Sequence, residues 1–488
     1  MTLKRKLSRL SGVGPGGVSP PGIPRAPAPS HAVPPAASPV PEPSANALVE
    51  PEASSGVGTG GPLSATPPSN APEAQRAREE KLRRHLAELG QRRRPVVSEE
   101  ASAPKPLAQQ VESPYGPLWM RESLLAEDHH HGRAPVRRVL ELEAAWVADL
   151  ALDPSLAGLP LEDLLLFDTE TTGLAGGTGT LPFVVGLGWF EAGRLRLCQL
   201  LLERPGQEAP ILRFLESRLA KASCLVTYNG KTFDWPLIRS RFVMNRLPPP
   251  KPRPHLDLLH CARRVFRHRP GGAKLVQIER EVLGFHRVGD IPGEEIPERY
   301  FRFLRTGRSE LLEPVLTHNG HDLVLLAALL GALGQQYGVG HAEDPRDALG
   351  FASVAARAGQ PGRALAFAEV TALRAPHASL QSQALALSAE VWKRGGRFDA
   401  AIEALQRALP LAPSGDRPQL HLMLSKLLEH RVGALEEALA HALHTAPVEG
   451  TEGRQRRIER LRRRLEAQAA ASPRLEVVPT GSHRRRPA

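Results

Sequence analysis

Four apolar residues, Leu164-Leu165-Leu166-Phe167, run without a break into Asp168-Thr169-Glu170-Thr171-Thr172-Gly173-Leu174. A short apolar run of this kind suits a strand covered on both faces. Side chains alternate along a strand, so Asp168 and Glu170 share one face and Thr169 points to the other. After a glycine-rich turn over 175–179, a strand is expected over 181–190. Glu191-Ala192-Gly193 then turns the chain back into a strand over 194–202, a hairpin pattern. A helix over 210–222, a strand over 224–228 and a helix over 234–245 complete the series. Hairpin strands followed by alternating strands and helices imply an α/β domain, a mixed sheet flanked by helices. Further on, Leu325, Leu326, Leu329 and Leu330 mark the buried face of a helix. His318 and Asp322, four residues apart, share one side of it.

The flanks read differently. Residues 1–72 are dominated by Pro, Ala, Gly and Ser and are expected to be a disordered tail, with Leu3, Leu7 and Leu10 as a short amphipathic face. Residues 73–112 are expected to be a charged helix, with Leu82, Leu86 and Leu89 at helical spacing, followed by a linker. The α/β domain is assigned to 113–340, and Asp128-His129-His130-His131-Gly132 within it reads as a polar loop. Over 345–447, Gly359-Gln360-Pro361-Gly362-Arg363-Ala364-Leu365 recurs as Gly395-Gly396-Arg397-Phe398-Asp399-Ala400-Ala401, and more weakly from His430. That spacing, about 35 residues, fits tetratricopeptide-like helical hairpins. Residues 448–488 read as a basic helix and tail. Arg456, Arg457, Arg460, Arg463 and Arg464 form a face suited either to phosphates or to ion pairs with neighbouring Glu.

Composition narrows the function. The 488 residues carry 63 Lys+Arg against 52 Asp+Glu, a net charge of +11. This favours an anionic partner, most simply nucleic acid. Cys198, Cys224 and Cys261 sit in apolar sequence and form no Cys-x-x-Cys pair, which argues against zinc and against a disulfide framework. No uninterrupted apolar run reaches the roughly 18 residues of a membrane helix. The expectation is a cytoplasmic protein without a membrane partner.

Three stretches carry candidate chemistry. Paired carboxylates at the end of a buried strand repel unless a cation lies between them, and Mg²⁺ or Mn²⁺ takes hard oxygen ligands. The second stretch is Tyr228-Asn229-Gly230-Lys231-Thr232-Phe233-Asp234. Its Asn-Gly turn would set Asp234 in the first turn of a helix anchored by Phe233 and Leu237. Asp234 alone could simply complement the helix dipole. Asn229 could cap backbone groups or touch a substrate. The third stretch holds His318 and Asp322, where Asp322 could share an ion with Asp168 or form a salt bridge. His318 could take a proton from water. Four carboxylates converging on two ions about 3.5–4 Å apart would clamp the attacking and leaving oxygens of a phosphodiester.

Together these stretches resemble the DEDD 3′–5′ exonucleases, which have a ribonuclease H-like fold. The carrying residues are Asp168-x-Glu170-Thr171-Thr172-Gly173-Leu174, Asn229-x-x-x-Phe233-Asp234 and His318-x-x-x-Asp322. The text His255-Leu256-Asp257-Leu258-Leu259 and 300–307 resembles the YprB-type branch. The resemblance covers roughly 113–340. It implies a two-metal nuclease using two Mg²⁺ or Mn²⁺ ions, with Asp168, Glu170, Asp234 and Asp322 as ligands and His318 as base. Thr171, Leu174, Asn229 and Phe233 would contact a single-stranded DNA or RNA substrate. Asp257 would support the site or cap the following helix. One departure stands out: a His occupies the spacing at which that family has Tyr, four residues before the last Asp. The competing reading is a non-catalytic nucleic-acid-binding scaffold that keeps the fold. In either case the helical repeats would receive a protein partner.

Overall fold

The computed structural model describes residues 107–173, 179–251 and 253–471. Residues 1–106, 174–178 (which include most of the glycine-rich turn expected over 175–179), 252 and those after 471 lie outside the described residues. Among the described residues nine strands are assigned: β1 Gln109–Ser113, β2 Gly116–Leu124, β3 His130–His131, β4 Ala134–Pro135, β5 Leu164–Thr171, β6 Pro182–Glu191, β7 Arg194–Leu201, β8 Cys224–Thr227 and β9 His255–Asp257. Seven of them form one mixed sheet in the order β1-β2-β7-β6-β5-β8-β9. β5 runs antiparallel to β6 and parallel to β8, which is parallel to β9. The hairpin expected across Glu191-Ala192-Gly193 is formed by β6 and β7. The hairpin β1–β2 was not anticipated. Residues 109–112, expected as the end of a linker, are strand, because β2 pairs along β7 and offers β1 an edge.

β5 is covered on both faces. Leu164 and Leu166 belong to one core and Leu165 and Phe167 to the other. The helices α1 Ala144–Ala151, α2 Ala209–Lys221, α3 Asp234–Met244, α4 Leu258–Val265, α5 Leu275–Glu281 and α6 Ile296–Thr306 surround the sheet. The long helix α7, Glu313–Val339, contributes Val315 and Leu316 to the second core and Leu323 to Leu330 to the first. The helical stretch Ser309–Val339 is long and apolar enough to cross a membrane by length and composition, but 67% of its most apolar window is buried inside the fold. It is the central core helix of this domain. The three cysteines are free and buried.

A helical region follows: α8 Pro345–Arg357, α9 Pro361–Arg374, α10 Ala378–Arg394, α11 Phe398–Leu411, α12 Arg417–Leu427, α13 Leu435–Ala442 and α14 Ala446–Ala471. The recurring glycine motifs precede α9, α11 and α13, and consecutive helices pack on one another. The expected basic face of α14 divides: Arg456, Arg463 and Arg464 are exposed, with Arg456 paired to Glu452 one turn earlier in the helix at 2.8 Å, whereas Arg457 is buried. Arg457, Arg460 and Arg464 converge on the buried carboxylate of Glu429, at 3.1, 2.7 and 3.5 Å. These ion pairs link α14 to the residues after α12 and do not run within the helix, so those arginines are structural.

The first helices of this region share a core with the α/β domain. Tyr337 lies near Phe351 and Phe367, which stack on each other at 5.2 Å. Arg269 grips Asp347 through two bonds of 2.7 Å. Gly350 lies against α4 so closely that a Cβ there would sit 2.0 Å from the Val265 carbonyl oxygen. Backbone atoms cannot yield as a flexible side chain can. Gly350→Ala should therefore destabilise the chain by about 1–3 kcal/mol through overpacking. The measurement is a urea unfolding midpoint, expected to fall with little change in slope.

Candidate metal centre

The site forms where β5 ends. Asp168 and Glu170 lie on the face that carries Leu164 and Leu166, and Thr169 lies on the opposite face. Asp234 approaches from that opposite side, at the start of α3, and accepts a hydrogen bond from the Thr169 hydroxyl. Leu237 and Ile238 bury α3, whereas Phe233 precedes the helix and is half-exposed. Phe233 is therefore not the anchor that its spacing suggested, and its ring is partly open to solvent beside Asp234. α7 brings His318, Asn319 and Asp322 to the same place.

The acids crowd one another. Burial, then Asp322, Glu170 and Asp234, hold Asp168 well above the usual carboxylate range. Burial, then Asp322 and Asp234, do the same to Glu170. Burial pushes Asp234 up to about 6, against the Thr169 bond that lowers it. A divalent cation would relieve both desolvation and repulsion. One ligand atom each from Glu170, His318 and Asp322 lie within 4.8 Å of one another, a donor set that fits a metal ion.

Each aspartate of the set has one oxygen engaged by a donor from outside it. Asp168 Oδ2 accepts from Asn319 Nδ2 at 2.8 Å, and Asp234 from Thr169. Asp322 Oδ1 accepts from Arg287 Nη2 at 2.5 Å. Asn319 is fully buried, and its Oδ1 accepts from Gln199 Nε2 at 2.9 Å. Gln199 in turn donates to the Leu316 carbonyl at 2.7 Å. Arg287 also reaches Glu279 at 2.7 Å and Asp290 at 3.4 Å. Burial disfavours its charge, but Asp322 and Glu279 raise its pKa above the usual arginine value. Asp290 Oδ1 lies 2.7 Å from His318 Nδ1, and His318 Nε2 lies 3.6 Å from Asp322 Oδ2.

The remaining expected residues have structural partners. Asp257 caps α4 by accepting from the Leu259 amide at 3.0 Å. It also accepts from the Asn229 and Lys231 amides at 2.8 and 3.1 Å, so it pins the turn that leads to Asp234. Asn229 sits in that turn at φ +66° and accepts from the Thr232 hydroxyl at 2.8 Å. Thr171 donates to the Gly173 carbonyl at 2.9 Å. Leu174 lies outside the described residues. The polar loop at 128–132 is instead partly core: His131 is buried, stacked on Phe285 at 4.0 Å, and bonded to Glu279 at 2.7 Å. His321 packs edge-on against Phe285. Sequence reasoning missed Asn319, Gln199, Arg287 and Asp290. A polar amide within an apolar helix was the available signal for Asn319. The segment 284–292 has no periodicity that would mark Arg287 or Asp290.

A family model described as RNase_H superfamily matches residues 165–333, a span that holds every acid of the site. The chain is also 37% identical over 213 residues to a Bacillus subtilis (strain 168) protein named Uncharacterized protein YprB. This region is thus similar to ribonuclease H-like domains and to the YprB protein. The match takes in 43% of this chain and 51% of the YprB protein, so the chain spans about half the length of that relative. The order β7-β6-β5-β8-β9 is the mixed sheet of this domain, with the acidic strand β5 at its centre.

Two outcomes follow for ion binding. A Cβ on Gly186 would lie 2.3 Å from Asn319 Oδ1, so Gly186→Ala should push Asn319 off Asp168. Gly186→Ala and Asn319→Ala should each weaken Mn²⁺ binding about 10–100-fold, as measured by calorimetry. Protons compete with the ion for Asp168, Glu170 and Asp234. Mn²⁺ affinity should therefore fall steeply as pH drops through about 6, where Asp234 takes up its proton.

Proposed function

We propose that the protein is a metal-dependent nuclease, a 3′–5′ exonuclease acting on single-stranded DNA or RNA. The observation that supports this best is the convergence of Asp168, Glu170, Asp234 and Asp322 from two helices and one strand, each aspartate steadied by a separate donor. Such an assembly is costly for a protein that only binds nucleic acid, because like charges in a buried pocket repel. The four carboxylates would hold two ions, which supply Lewis acidity at the scissile phosphate and a more acidic attacking water. Asn319, Thr169 and Arg287 keep the carboxylates in place, so little reorganisation is needed when substrate arrives. The half-exposed ring of Phe233, beside Asp234, offers a face on which a terminal base can stack. His318 stands against Asp322, where it either takes a proton from water or helps hold an ion. The helical pairs from α8 onward are read as a tetratricopeptide-like array that receives a protein partner.

Digestion of end-labelled oligonucleotides tests the proposal. With Mn²⁺ or Mg²⁺, the wild-type protein should give a ladder shortening from the 3′ end, and Asp168→Ala with Glu170→Ala should abolish it. Internal cuts lost in the double variant would leave a metal-dependent nuclease but remove the exonuclease assignment. Binding without cleavage, equal in both proteins, would favour the scaffold reading.

A further inference from the structure

The DEDD resemblance assigns His318 the part of a base, yet its surroundings are those of a ligand. His318 Nδ1 lies 2.7 Å from Asp290 Oδ1. A carboxylate accepts and does not donate, so in the neutral imidazole that bond places the proton on Nδ1 and leaves the lone pair on Nε2. Nε2 does not face open solvent alone: it lies 3.6 Å from Asp322 Oδ2, and His318, Asp322 and Glu170 each place a ligand atom within 4.8 Å of the others.

Three further features agree. A metal-binding histidine characteristically gives its second ring N–H to a carboxylate, which fixes tautomer and orientation. His318 and Asp322 are four apart on α7, the helical spacing at which two side chains can close on one ion. Arg287 engages the other oxygen of Asp322, leaving Oδ2 on the side of His318. The same arginine adds a positive charge to the site, which weakens any ion held by charge alone.

We propose that His318 binds the catalytic ion through Nε2 beside Glu170 and Asp322, and that this one-imidazole, two-carboxylate site selects Mn²⁺ over Mg²⁺. Asp290 is its positioning residue. The selectivity follows from ligand type: Mg²⁺ demands near-regular oxygen coordination, whereas a softer, larger ion accepts an imidazole nitrogen. The inference rests on the metal-dependent reading of the same site, but it makes a distinct claim about which atom touches the ion.

Pulsed electron paramagnetic resonance of Mn²⁺ bound to the full, tag-free chain reads that atom directly. Wild type should show a coupling to ¹⁴N. His318→Gln should lose the coupling while still binding Mn²⁺, about 10–100-fold more weakly. Asp290→Asn should weaken binding in the same direction with the fold intact by circular dichroism. It guards against a His318 variant that fails to fold. Mg²⁺ should displace Mn²⁺ from wild type far less readily than from His318→Gln. Mn²⁺ bound by wild type without nitrogen coupling overturns the ligand role and leaves the nuclease reading standing. A coupling that persists in folded His318→Gln also overturns it. No Mn²⁺ binding by wild type overturns both.

Discussion

Four carboxylates gathered at the end of one buried strand are the constraint on which the domain is built. Left alone they would spread apart or take up protons. The fold keeps them together by giving each aspartate a donor that comes from a different element. Asn319 on α7 holds Asp168, Thr169 on β5 holds Asp234, and Arg287 after α5 holds Asp322. The two faces of β5 thereby acquire separate tasks. One face presents Asp168 and Glu170 toward α7, and the other sends Thr169 to the start of α3. Covering both faces with apolar cores makes this division rigid, since a slip of one residue would exchange the two sets.

α7 joins this polar assembly to the rest of the chain. Its first turns carry His318, Asn319 and Asp322, and the turns from Leu323 to Gly334 are apolar on all sides. The apolar part packs with Phe351 and Phe367, so the helical region that follows shares a core with the α/β region. The Arg269–Asp347 pair and the close approach at Gly350 strengthen the same junction. Two sequence patterns that look like separate domains are thus continuous in packing. A partner bound to the helical region would act on a body that includes the helix holding half the site.

What was legible in the sequence was what local pattern encodes. The apolar run into Asp168-x-Glu170, the turn after Glu191 and the His318/Asp322 spacing all express periodicities of two or about 3.6, and the corresponding elements formed. The edge hairpin β1–β2 was not legible because Gln109–Ser113 has little apolar alternation and forms strand only by pairing with β2. Phe233 misled because spacing marks it as an anchor, while it lies just before α3 and is only partly buried. Asp257 left two readings open; its carboxylate caps α4 and also pins the turn before Asp234. Arg287 and Asp290 were invisible because their roles exist only after residues far apart in the chain have met.

That long-range layer extends well behind the acids. The hairpin β3–β4 turns at Gly132, whose φ is +60° and where a Cβ would sit 2.1 Å from the Leu283 carbonyl oxygen. Arg133 fastens the same turn by donating its amide to Leu283 and its Nε to Val282, both at 2.8 Å. This contact lays His131 on Phe285 and against Glu279. Although burial opposes it, Glu279 is held below the usual carboxylate range by His131 and Arg287, and so remains charged. A buried charge of that kind is tolerable only while its partners stay in place. Arg287 is therefore fixed from behind by Glu279 before it reaches forward to Asp322. The position of one candidate ligand thus depends on a glycine turn about 190 residues earlier, a dependence that follows from pairing charges in a dry interior.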